Sequence, residues 1–143
     1  MAEAALAGLT PAVEQRVAGV LEVPLHRFLG FEATAIGAGA AAGRFRVGEA
    51  ARSNIGMLHG GVLYSLLDAT SYLALASDLA AGTTASTVDV SFSMLRPVAA
   101  GATVEMTARL DRLGRSLAFL QAEARVEGKL VAKAQLTKAV VTL

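Results

Sequence analysis

The second half of the chain alternates between apolar and polar positions. In Thr84–Leu95, Val88, Val90, Phe92 and Met94 share one face, and Thr87, Asp89, Ser91 and Ser93 share the other. Ala102–Arg112 repeats the pattern, with Val104, Met106, Ala108 and Leu110 opposite Thr103, Glu105, Thr107 and Arg109. A period of two predicts half-buried strands. Arg96-Pro97, Gly101 and Gly114 break it into segments. Ser116–Val126 and Lys129–Val141 make four strands in all, the last two joined by a tight Glu127-Gly128 hairpin.

The first half is more helical. Thr10 suits an N-cap and Pro11 the first helical position. Val13, Val17, Val20 and Leu21 then recur at helical spacing, which predicts a helix over Pro11–Leu21 that Pro24 ends. Residues 25–31 lead into an extended segment. Two short strands follow, Phe31–Ile36 and Ala40–Val47, around a Gly37-Ala38-Gly39 turn. Alanine and glycine are poor strand formers, so their pattern is weaker. Gly48–Leu58 reads as a loop. A long apolar helix runs from Gly60 to Leu79, and Ala81-Gly82 ends it.

This order predicts an α+β domain whose antiparallel sheet curls around the long helix, because a flat sheet would leave much of it exposed. The whole chain, residues 1–143, reads as one domain, with residues 1–23 as an N-terminal helical extension. With 54% hydrophobic residues and a formal charge of +1, the chain should fold and offers no nucleic-acid surface. It has no cysteine, so thiolate zinc sites and a cysteine nucleophile are excluded. Glu3 and the lack of a basic N-terminal stretch make a poor signal peptide. Asp68 and Asp78 make the 60–82 run expensive as a membrane span. We therefore expect a cytoplasmic protein with no membrane partner. Mean hydropathy is +0.52, more apolar surface than a monomer of this size hides well, so we expect an oligomer.

The chemistry concentrates in the long helix. Val62, Leu66, Ala69, Leu73 and Ala76 form one stripe, and Tyr64, Asp68 and Tyr72 another. A carboxylate on so apolar a helix costs several kcal/mol, roughly, if unpaired. Two readings are open. Asp68 caps a neighbouring segment or accepts from Ser65, Ser71 or a tyrosine, or it is an acid–base group. His59-Gly60-Gly61 at the helix start is equally double: a tight packed turn, or bare N–H groups where the macrodipole favours developing negative charge. Asp68 lies about 12 Å along the axis from Gly60 at about 1.5 Å per residue. If both act on one carbonyl, the aspartate must come from a second, antiparallel copy of the helix, as a two-fold dimer supplies.

Asn54-Ile55-Gly56-Met57-Leu58-His59-Gly60-Gly61 followed by Asp68, Thr87-Val88-Asp89-Val90, Leu95-Arg96-Pro97 and Leu29-Gly30-Phe31 resemble the hotdog-fold acyl-CoA thioesterases of the phenylacetyl-CoA (PaaI-like) family. The resemblance covers roughly residues 24–141. It implies a six-stranded antiparallel sheet wrapped around the central helix. It also implies homodimers with a continuous sheet, often paired into tetramers, and hydrolysis of an acyl-CoA to a free acid and CoA. Carried over by position, the Gly60 N–H polarises the thioester carbonyl and His59 shapes that end of the site. Asp68 of the other subunit acts as general base or nucleophile, and Thr87 positions water or the carboxylate. Family members carry a loop asparagine six residues before the histidine. Here that place is Ser53, with Asn54 beside it, so either takes the polar role. Gly61 and Tyr64 are expected to bind substrate, and Arg96, with Arg52, Arg112 and Arg115, offers cations for the CoA phosphates. Tyr72, Leu63 and Leu67 are further candidate walls for the acyl group, each with simple core packing as the alternative reading. An activated thioester needs no metal or cofactor beyond the CoA it carries. A hotdog dehydratase would need a different histidine–acid arrangement than His26 and His59 offer. A non-catalytic acyl-CoA-sensing module on the same fold is the remaining alternative.

Overall fold

The computed structural model describes residues 6–143; Glu3, used above in the N-terminal reading, lies outside them. Helix α1 spans Pro11–Leu21, as the pattern predicts, and the Thr10 hydroxyl accepts the Val13 amide as its N-cap. Pro24 does not simply end it. Proline suits a first helical turn, and here it opens a second short helix, α2 (Pro24–Phe28), where an extended lead-in was expected. His26 Nδ1 donates to Val20 O at 2.7 Å and its ring meets the edge of Phe31 at 5.9 Å, tying α2 to α1.

Strands β1 (Glu32–Gly37) and β2 (Ala40–Arg46) pair as a hairpin. Their small residues serve packing: a Cβ on Gly43 would stand 2.6 Å from the Phe31 ring. A 3-10 turn, Glu49–Ala51, interrupts the following loop. The long helix α3 covers Gly60–Leu75, a turn shorter than expected. Past Leu75 the backbone tightens into i→i−3 turns, with Asp78 N–H donating to Leu75 O at 2.9 Å, and Arg16 of α1 braces the segment that follows. Its guanidinium donates to Ala76 O at 2.9 Å, Leu79 O at 3.0 Å, Ala80 O at 2.8 Å and Thr83 O at 3.3 Å. These bonds satisfy carbonyls of the segment that follows α3 and place a cation near the negative end of the helix dipole.

Strands β3 (Thr83–Met94), β4 (Thr103–Leu113), β5 (Leu117–Val126) and β6 (Lys129–Thr142) complete one antiparallel sheet in the order β1-β2-β4-β5-β6-β3. Glu127 and Gly128 both take positive φ, 49° and 78°, as a primed two-residue hairpin turn requires. The sheet wraps α3, whose Leu63, Leu66, Leu67, Leu73 and Leu75 are fully buried against its concave face. Leu63 and Leu67 are thus core packing rather than walls of a substrate slot. No helix among the described residues is long and apolar enough to cross a membrane.

Strict alternation fails at one place in β3. Thr87 pairs with Lys138 and Asp89 with Thr137, which leaves Val88 as a bulge. Val88 is exposed rather than inward, and Thr87 turns toward α3 instead of sharing the outer face with Asp89. An extra residue flips the facing of everything before it.

Candidate active site

Helix α3 starts at His59, which takes extended backbone angles and caps the helix with its own ring. His59 Nδ1 accepts the Gly61 amide at 2.9 Å, so the neutral ring carries its proton on Nε2. Gly61 makes room for this: a Cβ there would stand 3.0 Å from the His59 ring. The Gly61 N–H is therefore engaged within the chain. The Gly60 N–H, by contrast, has no partner among the described residues. Gly60 is not needed for packing either, since a Cβ would meet only Phe92, at 3.9 Å. The structure thus singles out one free donor, at the positive end of a sixteen-residue helix.

Tyr64 stands one turn along, 42% exposed, with its ring edge-on to Phe92 at 6.1 Å. Arg96 follows the end of β3 and is exposed. In the preceding loop the Ser53 hydroxyl accepts the Ile55 amide at 3.4 Å, while Asn54 is exposed and its side chain makes no hydrogen bond among the described residues.

Two turns further on, Asp68 meets the sheet. The Thr87 hydroxyl donates to Asp68 Oδ1 at 2.6 Å, and Lys138 Nζ donates to the same oxygen at 2.8 Å and to Thr87 Oγ1 at 2.6 Å. The other candidate donors are committed elsewhere. Ser65 and Ser71 donate to the Gly61 and Asp68 carbonyls, and the Tyr72 hydroxyl pairs with Thr84 Oγ1. Asp68 therefore does take a hydroxyl bond, but from the sheet rather than its own helix. Its side chain keeps 33% of its surface exposed, whereas that of Lys138 keeps 3%. Burial strips the Lys138 ammonium of water and pulls its pKa below the ordinary 10.5; the Asp68 charge and hydrogen bond push back but do not win.

Asp68, Thr87 and Lys138 line a cavity of about 820 Å³ between α1, α3 and the start of β3, with Tyr72 and Val20 on its walls. Within the chain, then, the candidate site residues form two groups. His59, Gly60, Gly61 and Tyr64 stand at the N-terminus of α3, and Asp68 and Thr87 lie two turns away. Lys138 was missed by the sequence reading. The signal was available: it shares inward register on β6 with Ala132, Ala134 and Leu136, all buried.

The sequence profile of the thioesterase superfamily matches residues 55–133. Acyl-coenzyme A thioesterase 13 of Mus musculus is 30% identical over 95 residues, which span 65% of this chain and 67% of the mouse protein. Among solved structures, a conserved protein of Pseudomonas aeruginosa superposes with a TM-score of 0.80 at 32% identity, covering 86% of this chain and 98% of that one. A phenylacetic acid degradation-related protein of Ralstonia eutropha gives a TM-score of 0.79 at 30% identity, covering 90% and 98%. Sequence, sheet topology and central helix agree, and the chain belongs to the thioesterase superfamily as a hotdog-fold thioester hydrolase.

Proposed function

We propose that the enzyme hydrolyses an acyl-CoA, carrying an aryl-acetyl or a medium- or long-chain acyl group, to the free acid and CoA. It acts as a cytoplasmic homodimer, paired into a tetramer, with each site shared between two protomers. Asp68 of one protomer takes a proton from water, whose oxygen attacks the thioester carbonyl carbon. Negative charge develops on the carbonyl oxygen beside the Gly60 N–H of the other protomer. The C–S bond then breaks, and the departing thiolate takes the proton held by Asp68. Atoms balance as thioester plus water giving acid plus thiol. A thioester is activated enough for one base and one dipole-backed donor to suffice, so the reading calls on no cofactor.

The observation that carries this reading is the Asp68 carboxylate, tied to the sheet yet open to a cavity of about 820 Å³. The names of the mouse and Ralstonia relatives support acyl-CoA and aryl-acetyl chemistry. Two features support the shared site: the separation of Asp68 from Gly60 along one helix, and the outer edge of β3, twelve residues long and unpaired among the described residues. Ser53 or Asn54, Tyr64 and Arg96 would contact the substrate around the helix start.

The test is thiol release from a panel of acyl-CoAs (phenylacetyl, hydroxybenzoyl, short, medium and long chain) with wild type and Asp68→Asn side by side. Hydrolysis of at least one member that falls by orders of magnitude in the variant supports the reading. Undiminished turnover in the variant contradicts the role of Asp68. Tight acyl-CoA binding without any hydrolysis points to a sensing module instead.

A further inference from the structure

Lys138 sits on the inward face of β6, 2% exposed, between Thr87 on β3 and Ala118 on β5. The reaction above does not use it. A buried ammonium gives up its hydration and persists only with close partners. An apolar side chain of similar length would fill the same space without that cost, so packing alone gives no reason for a lysine here.

Its partners are Thr87 and Asp68, the base of the proposed reaction. An ammonium has only donors, so Thr87 Oγ1 must accept from it, at 2.6 Å. The single Thr87 O–H proton is then left to point at Asp68 Oδ1, 2.6 Å away, while Lys138 bonds the same oxygen at 2.8 Å. All three contacts close into a triangle in which every hydrogen has one direction. Both bonds to the carboxylate fall on Oδ1, and Oδ2 accepts none among the described residues.

We propose that Lys138 is a positioning residue for the hydrolysis: it fixes Thr87 as a donor and locks the Asp68 carboxylate so that Oδ2 is the oxygen that takes the proton from water. The inference rests on the thioesterase reading and deepens it. Lys138 touches no reacting atom in this account; it acts through Asp68 and Thr87. Removing it leaves Asp68 Oδ1 with one bond, from a Thr87 hydroxyl whose direction nothing then fixes, and a misplacement on the scale of 1 Å costs about 100-fold in rate.

The experiment measures kcat and KM for wild type, Lys138→Met, Asp68→Asn and the Asp68→Asn/Lys138→Met double variant on the acyl-CoA that wild type cleaves. Lys138→Met is expected to lower kcat about 100-fold with KM little changed. The double variant should be no slower than Asp68→Asn alone, because Lys138 has nothing to position once the base is gone. Wild-type kcat in Lys138→Met overturns the proposal and leaves the thioesterase reading standing. A double variant slower than Asp68→Asn by the full Lys138→Met factor does the same, since it reveals a general structural role. A wild type that cleaves no acyl-CoA overturns both. If Lys138→Met does not fold, Lys138→Gln decides: it is neutral and shorter, so it cannot bridge Thr87 and Asp68 as the ammonium does. A fall in kcat at constant KM then supports the proposal, and an unchanged kcat overturns it.

Discussion

Replacing Gly60 by proline removes one hydrogen-bond donor and little else. Gly60 is the first residue of α3, the one helical position where proline's missing N–H and fixed φ are tolerated. His59 before it has φ −70° and ψ 123°, the extended conformation that a following proline requires. An added Cβ meets only the Phe92 ring, at 3.9 Å, an ordinary van der Waals contact. The lost N–H has no partner among the described residues, so none of their hydrogen bonds is broken. Stability should change by no more than about 1 kcal/mol, because restricting the unfolded chain offsets any local strain. If this amide holds the developing oxyanion, its loss should cost about 100- to 1000-fold in kcat, or roughly 2.7–4 kcal/mol of transition-state stabilisation. The assay is thiol release at saturating acyl-CoA, with thermal unfolding of the same preparations and Gly60→Ala as the control. Alanine keeps the N–H and should keep most of the activity. A folded Gly60→Pro enzyme with near wild-type kcat refutes the oxyanion role. Equal losses in the proline and alanine variants show that bulk, not the donor, matters.

Two further outcomes follow from the same geometry. Arg16→Met removes the guanidinium that holds four carbonyls at the end of α3, and a charge-assisted contact of this kind is worth about 1.5–3 kcal/mol. Urea unfolding should show a loss of that order, and an unchanged midpoint would mean that water replaces the clamp without cost. Lys138 has a folded pKa below the unfolded value of 10.5, so between the two the unfolded chain holds the extra proton and stability rises with pH. Below the folded value the burial penalty is present in full. The stability of wild type relative to Lys138→Met should therefore climb as pH approaches 10.5, and a flat difference would show that the contacts with Asp68 fully offset the burial of Lys138.

Local signals in the sequence were read well where side chain and backbone agree. Thr10-Pro11 set the start of α1 because a hydroxyl cap and a proline both favour the same boundary. His59-Gly60-Gly61 marked the start of α3 in the same way, although the division of labour was invisible: one amide goes to the His59 ring and the other stays free. Errors came where tertiary contacts decide. Residues 76–79 have helical composition, yet the backbone there forms i→i−3 turns braced by Arg16, about sixty positions away. Pro24 is ambiguous in sequence, because a proline that stops one helix serves equally as the first residue of the next. The β3 bulge moved Val88 outward and Thr87 inward, which no period-two count finds. Thr87 entered the candidate site through the family resemblance, and it is the bulge that makes it a neighbour of Asp68. Lys138 was overlooked because a lysine near a chain end reads as solvated. Its alternation with Ala134 and Leu136 places it in the core instead.

The central claim is that each site joins Gly60 of one protomer to Asp68 of its partner. Hybrid dimers of Asp68→Asn and Gly60→Pro subunits, isolated through two different affinity tags, test it most directly. Each parent homodimer lacks one element at both sites and should be nearly inactive. The hybrid regains one complete site of two and should show about half the wild-type thiol release per dimer. A hybrid no more active than its parents would mean that the donor and the base belong to one protomer or do not act together at all.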